Sequence, residues 1–314
     1  MQTKDLTIPD PVEHFEHTIV RDRDQWTLLD GADRSTDLVN HVLRVVHQIG
    51  RVPEYEDEFH AFVACQSSEG GFGNSTRTRP LSMRNTGFAG SNLIWAYRAS
   101  PSDELGSAIE RLVSFLLAQQ EPGGFWSDPA WGARDATAAS MGVLTRSLGE
   151  DFLVDLHDYT REALAGAVEY LERTQADDGS WEDPRAYEAP IGPTGHLLPK
   201  LAAASEARTP AVAAGISYLV EQQDEDGSWD NRHTDHTCDA TRALILTGSV
   251  VEDERIPPAV EVGVEWLLGT MNDDWTWSEH PGEAPSLLMT CDVLDCFAQF
   301  ESRRQAADLA SFYR

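Results

Sequence analysis

The chain has 314 residues, 53 acidic against 24 basic, for a formal net charge of −29, and lysine occurs only at Lys4 and Lys200. Such a field disfavours nucleic acid and anionic membrane surfaces as partners, and carboxylates with arginine in place of lysine resemble the solvated surface of halophilic proteins. No stretch approaches the roughly 18 apolar residues of a spanning helix, and the polar start from Met1 to Asp10 lacks a signal peptide's apolar segment, so a soluble cytoplasmic protein is expected.

In chain order, the pattern predicts six helical hairpins, near residues 11–49, 56–98, 103–148, 158–204, 209–249 and 257–301. The first helix of a pair is amphipathic: Glu104 to Gln119 sets Ala108, Leu112 and Leu116 on one face, and Tyr159 to Thr174, Pro210 to Gln222 and Pro257 to Thr270 repeat the spacing. The second is poorer in charge and richer in small residues, as in Ala136 to Leu144 and Ala240 to Leu246, which suits an inner helix packed on several sides.

Between the two helices a short block recurs. It runs from Gln66 to Phe72, Gln120 to Trp126, Gln175 to Trp181 and Gln222 to Trp229, with a degraded copy from Met271 to Trp277 and a fainter one ending at Trp26. A fixed period of this kind signals a repeat architecture. Its glycine is expected to end the outer helix in a left-handed cap, its glutamine to satisfy orphan backbone groups, and its aromatic ring to fill the seam between repeats. No polar capping repeat is evident, so the hairpins are expected to close as an all-α (α/α)6 barrel, a single domain over residues 1–314. The longer stretches Asn74 to Met83, Glu182 to Pro193 and Asp273 to Ser286 then gather at one mouth, where loops carry function.

The Gln-x-x-Asp-Gly-x-Trp blocks resemble the repeats of squalene and terpenoid cyclases and of the catalytic subunits of protein prenyltransferases. The resemblance runs from about Pro11 to the end of the chain and implies an inner and an outer ring of helices. It is specific for the fold and less so for an activity, because one fold hosts several chemistries.

Aligned on the block, the starts of the inner helices bring Asp37, Asn85, Asp135, Thr194, Asp239 and Asp292 into register, a circle around one mouth of the closed barrel. Each is a residue that helix N-caps favour, so capping and a functional site both account for the circle. Arg77, Arg79, Arg84 and Arg134 fall in the loops entering the second and third inner helices. Beside helix N-termini they would form an anion site for a diphosphate or carboxylate; pairing with surface acids is the other reading.

Thr237-Cys238-Asp239-Ala240-Thr241 resembles the Asp-x-Asp-Asp-Thr motif of proton-initiated terpenoid cyclases, with Asp239 at the place of the proton donor and the flanking acids replaced by Thr237 and Ala240. Asp235 and His236 stand near enough in sequence to substitute for those neighbours, and a raised pKa is what the role requires. Asp135 fits the shortened motif, but its neighbour Arg134 would hold it ionised. Phe88, Trp95, Tyr97, Phe297 and Phe300 on inner helices would line a cavity and stabilise a cation, or simply pack the core.

The resemblance to prenyltransferases also raises zinc. His236-Thr237-Cys238 matches their histidine segment, but the preceding repeat reads Gly192-Pro193-Thr194-Gly195-His196 where Asp-x-Cys is needed, and Cys65, Cys238, Cys291 and Cys296 show no metal spacing. No metal and no cofactor are therefore expected. What the resemblance implies is a cyclase-like enzyme for an isoprenoid substrate, with Asp239 as general acid in an apolar, aromatic-lined cavity and a homodimer or helical partner subunit closing the mouth. A prenyltransferase-like subunit, a non-catalytic lipid- or peptide-binding barrel, and a toroid glycosidase or lyase using Asp135, Asp239, Glu188 and Glu283 remain the alternatives.

Overall fold

The computed structural model describes residues 6–77, 80–183, 189–205 and 208–312. Outer and inner helices alternate along them: α1 (Pro11–Thr18) and α2 (Thr36–Gln48), α3 (Glu56–Val63) and α4 (Met83–Ala99), α5 (Asp103–Ala118) and α6 (Gly132–Ser147), α7 (His157–Thr174) and α8 (Ile191–Ser205), α9 (Pro210–Glu221) and α10 (Thr234–Thr247), α11 (Ile256–Gly269) and α12 (Leu287–Phe312). The even-numbered helices pack in sequence, α2 on α4, α6, α8, α10 and α12, and α12 returns to α2. That contact closes the α/α barrel.

Local chemistry starts the helices. Side chains of Asp10, Ser35, Ser82, Ser102 and Thr209 accept hydrogen bonds from first-turn amides of α1, α2, α4, α5 and α9, each cap contributing about 1 kcal/mol. Outer helices bury one stripe, as α5 does with Leu105, Ala108, Ile109, Leu112, Val113 and Leu116, whereas inner α6 buries residues around most of its circumference.

The recurring block is the joint between hairpins, and its bonds repeat from copy to copy. Trp126, Trp181, Trp229 and Trp277 are fully buried, and each indole N–H donates to the carbonyl ten residues earlier, of Leu116, Leu171, Leu219 and Leu267. The side-chain amides of Gln66, Gln120, Gln175 and Gln223 donate both to the glycine carbonyl four residues on and to a carbonyl in the first two turns of the next outer helix, Ala108, Ala163, Ala211 and Ala259. In the fourth copy the working glutamine is thus Gln223 rather than Gln222, which restores a uniform Gln-x-x-x-Gly spacing.

The left-handed glycine also sits elsewhere than the sequence suggests. α5 and α7 end at Ala118 and Thr174, while Gly124 and Gly179, at φ +85° and +91°, lie beyond them in the turn. There a Cβ would collide with the backbone of Gly166 and Ala214 in the following outer helix. Glycine is needed for close approach as well as for its dihedral. At the joint that closes the barrel the same place is taken by Trp275, at φ +67°, whose carbonyl accepts from His14 and whose ring packs on His14 and His17 of α1.

Replacing a fully enclosed indole leaves a cavity as well as a lost hydrogen bond. Trp229→Ala is expected to cost about 3–5 kcal/mol in denaturant unfolding. A cost below about 1 kcal/mol would show that the joint does not hold the repeats together.

Candidate functional site

One threonine on each of five inner helices fixes the register at the mouth. Thr86, Thr137, Thr194, Thr237 and Thr290 accept the backbone N–H of Phe72, Trp126, Trp181, Trp229 and Trp277. The intervening loops differ in length, so an alignment on the block alone mixes two levels of the barrel. Two residues before each threonine stand Arg84, Asp135, Gly192, Asp235 and Leu288; two residues after it stand Phe88, Ala139, His196, Asp239 and Asp292. Asp37 and His41, four residues apart on α2, complete the two levels. Asn85 and Thr194 lie off the charged circle: Asn85 binds Asn74 and Gly73, and Thr194 serves its joint. Asp135, Asp239 and Asp292 are not caps either, since they fall inside their helices.

The two levels are stitched into a closed circuit of alternating charge. Arg84 binds Asp37 and stands 3.3 Å from Asp135; His196 reaches Asp135 with Nδ1 and Asp239 with Nε2, both at 2.8 Å. Arg242 binds Asp239 at 2.5 Å and stands 3.4 Å from Asp292 and 3.2 Å from Asp295. Arg44 joins the same two acids at 2.6 and 3.0 Å, and His41 lies 3.5 Å from Asp292 and 3.6 Å from Asp37. All six inner helices contribute. The carboxylates of Asp135 and Asp295 are fully shielded from solvent, so an unpaired charge there would be strongly unfavourable.

Protonation follows from this geometry. Burial alone would lower the His196 imidazole, but Asp239 and Asp135 outweigh it and push it up to about 10. Burial alone would raise Asp239, yet His196 and Arg242 hold it well below the usual carboxylate range. This geometry sets Asp239 as a counter-ion to His196 and Arg242, and its lowered carboxyl runs against the raised pKa expected of a general acid. The missed partner, Arg242, lies only three residues ahead of it. The carboxyl shifted the other way is Asp235, raised first by burial and then by repulsion from Asp239 and Asp292.

On the C-terminal side of the circuit a cavity of about 470 Å³ runs down the barrel. Phe88, Trp95, Ala138, Ala139, Ile245 and Leu246 give it an apolar share, but Arg44, Arg146, Lys200, Arg242 and Arg303 also line it. The wall is thus mixed where an apolar, aromatic-lined interior was expected, because the inner helices bring arginines to the axis as well as small residues. The Arg146 guanidinium lies over Trp95 at 4.8 Å, donates to the Gly142 carbonyl at 2.6 Å, and has no carboxylate partner among the described residues. Trp95 stacks on His47, whose imidazole burial and Arg146 lower to about 4.

The other expected residues are dispersed. The described arginines of this set do not converge: Arg84 is in the circuit and over Phe88 and Trp131, whereas Arg134 turns outward to Glu182, Thr174 and Tyr170. Arg77 is exposed, and Arg79, like Glu188, lies outside the described residues. Tyr97 packs on Phe152 and Phe297 on Trp277, both away from the cavity. His236 binds Asp230 at 2.7 Å and stacks on His233, and Cys238 donates to the Asp292 carbonyl. Among the described residues no group of three or more His, Cys, Asp or Glu side chains is arranged to hold a metal ion. No described helix is long and apolar enough to cross a membrane.

Residues 107–241, a little under half of the chain, match the family model of the squalene-hopene cyclase C-terminal domain. Among solved structures, a variant of a type II terpene cyclase from Scytonema, in complex with geranylgeranyl dihydroxybenzoate, shares 15% identity at a TM-score of 0.70, covering 92% of this chain and 97% of that one. A polysaccharide lyase shares 11% identity at a TM-score of 0.66, covering 94% and 98%. An ent-copalyl diphosphate synthase from Streptomyces platensis shares 17% identity at 0.61, covering 84% of this chain and 50% of that one. No curated protein sequence matches. At such identities the structural likeness establishes the fold.

The circuit gives stability a pH signature. The folded pKa of His196 lies above its unfolded value, so its contribution is complete below about pH 6.5 and is lost as pH rises through about 10. Asp239 has the opposite sign: its contribution is present above about pH 4 and fades as pH falls. Melting temperature is therefore expected to decline between about pH 7 and 10, and His196→Gln to cost about 3–5 kcal/mol at pH 7 while flattening that decline. An unchanged alkaline profile in the variant would show that the imidazolium does not bridge the two acids.

Proposed function

The chain carries the α/α-barrel fold of the terpenoid cyclase superfamily, and we propose on that footing that it is an enzyme of cyclase type whose substrate is an amphiphilic anion, an isoprenoid bearing a carboxylate or diphosphate head. One observation supports this above others. In a chain of net charge −29, Arg146 is kept inside the cavity without a carboxylate partner among the described residues, beside Lys200, while Arg44, Arg84 and Arg242 around the same axis are all paired. An unpaired guanidinium on an aromatic face is a seat for an anion.

The remaining lining suits the rest of such a molecule. Phe88, Trp95, Ile245 and Leu246 offer the apolar contact, and a cavity of about 470 Å³ falls in the range of small-molecule sites. In this reading the proton comes from Asp235, whose carboxyl burial and two neighbouring acids raise above the usual range, and Asp239 serves as its repelling neighbour. Asp235→Asn then abolishes turnover while keeping the fold, whereas Asp239→Asn acts through loss of the circuit.

A second reading has its own support. Asn40, Gln48, Ser91 and Asn92 form a polar wall, and a polysaccharide lyase shares the fold, which together favour an acidic sugar. Titration calorimetry with geranylgeranyl diphosphate and with oligogalacturonate separates the two. Heat from the diphosphate, weakened at least tenfold in Arg146→Ala and further by added salt, supports the isoprenoid anion. Binding of the sugar acid alone transfers the assignment to it.

A further inference from the structure

Lysine has been all but removed from this chain, yet one of its two copies is inside the barrel. Lys200 lies on α8 one turn beyond His196, lines the cavity and is only half-buried, so its side chain keeps access to that space. It has no hydrogen bond or ion pair among the described residues. Its neighbour is Arg146: a Cβ built on Gly142 would lie 3.2 Å from the Arg146 Nη1 and 3.4 Å from the Lys200 Cε, so both cations flank the same glycine. A lysine serving only as surface charge would be replaceable by arginine. A nucleophilic amine would not, because guanidinium cannot lose its proton.

We propose that Lys200 is a covalent site, its Nζ forming an imine with an aldehyde or ketone whose carboxylate or phosphate is held by Arg146. The amine lone pair adds to the carbonyl carbon, the oxygen takes up a proton to give a carbinolamine, and both amine hydrogens finally leave with that oxygen as water. No oxidant or reductant is consumed. The inference deepens the anion reading, on which the role of Arg146 rests, by adding a carbonyl to the ligand.

The surroundings supply the required free amine. Facing Lys200 from the other inner helices are Arg146, Arg242 and Arg44, opposed by Asp295, and His47 and Arg303 share the cavity. Burial first, and then the three arginines, bring its amine down to about 7. Neighbouring cations and desolvation are recognised means of activating a lysine nucleophile.

With so few amines, the test is direct. The full-length protein is incubated with glyoxylate and cyanoborohydride, and adducts at Lys200, Lys4 and the N-terminus are quantified by peptide mass spectrometry. At pH 7 Lys200 is expected to gain a carboxymethyl group about 10³-fold faster than Lys4, given an ordinary lysine pKa of about 10.4, with a rate that rises through about pH 7 and then levels. Acetaldehyde, which lacks the carboxylate, should react at least tenfold more slowly at Lys200, and Arg146→Ala should erase that preference. Lys200→Arg should leave the labelling of Lys4 and the N-terminus unchanged. Labelling of Lys200 no faster than Lys4, or with the pH dependence of an ordinary lysine, overturns the proposal. Arg146-dependent binding of a diphosphate without any Lys200 adduct would overturn it too, while leaving the anion site standing.

Discussion

Closing six hairpins into a barrel forces the N-terminal parts of six inner helices around one axis, and in this chain those parts carry charge. Water is largely excluded there, so each charge must find its opposite among neighbours on adjacent helices. The result is a circuit in which every inner helix binds the next through Asp37, Arg84, Asp135, His196, Asp239, Arg242, Asp292 and His41. Such a circuit tolerates little displacement. A shift of any one helix along its axis would strand a buried carboxylate, and so the circuit specifies register where small residues such as Ala138, Ala139 and Gly142 would otherwise let the helices slide.

The joints on the outside solve a complementary problem. Each outer helix must meet the next turn closely enough for a glutamine to bond two carbonyls at once, and the left-handed glycine permits that approach. Because the joint also delivers a backbone N–H to a threonine on the inner helix, it couples outer packing to inner register. The loop between joint and threonine is free to vary in length, which is where this barrel accommodates its mouth segments without disturbing the axis.

That freedom explains what could and could not be read from the sequence. The glutamine, glycine and tryptophan of the joint recur at fixed spacing, so the fold was legible in them. The circle of ring residues was legible only in part, since aligning the helix starts on the block placed Asp135 and Asp239 on one level although Asp135 shares its level with Asp235. An alignment on Thr137, Thr194 and Thr237 would have revealed His196 opposite Asp239. Arg242, three residues beyond Asp239, was visible as a helical pair and marks that acid as ionised. Arg44, Arg146 and Asp295 sit deeper along inner helices, where no motif announces them and only closure of the barrel brings them together.

The charge balance of the chain gains meaning from this arrangement. A surface rich in carboxylate repels anions at long range, though salt confines that field to about 10 Å or less. Inside the barrel the field is local, and there Arg146 and Lys200 have no ion pair with a carboxylate among the described residues, while Asp292 and Asp295 are bound by Arg44 and Arg242. An anion that enters therefore meets the Arg146 guanidinium with the Lys200 amine beside it on the cavity wall. The arginine that makes this wall attractive to an anion also adds to burial in lowering the amine of Lys200, so ligand binding and amine reactivity share an electrostatic source. Neutralising Arg146 by a bound carboxylate would return proton affinity to Lys200, which links occupancy of the anion seat to the protonation of the residue beside it.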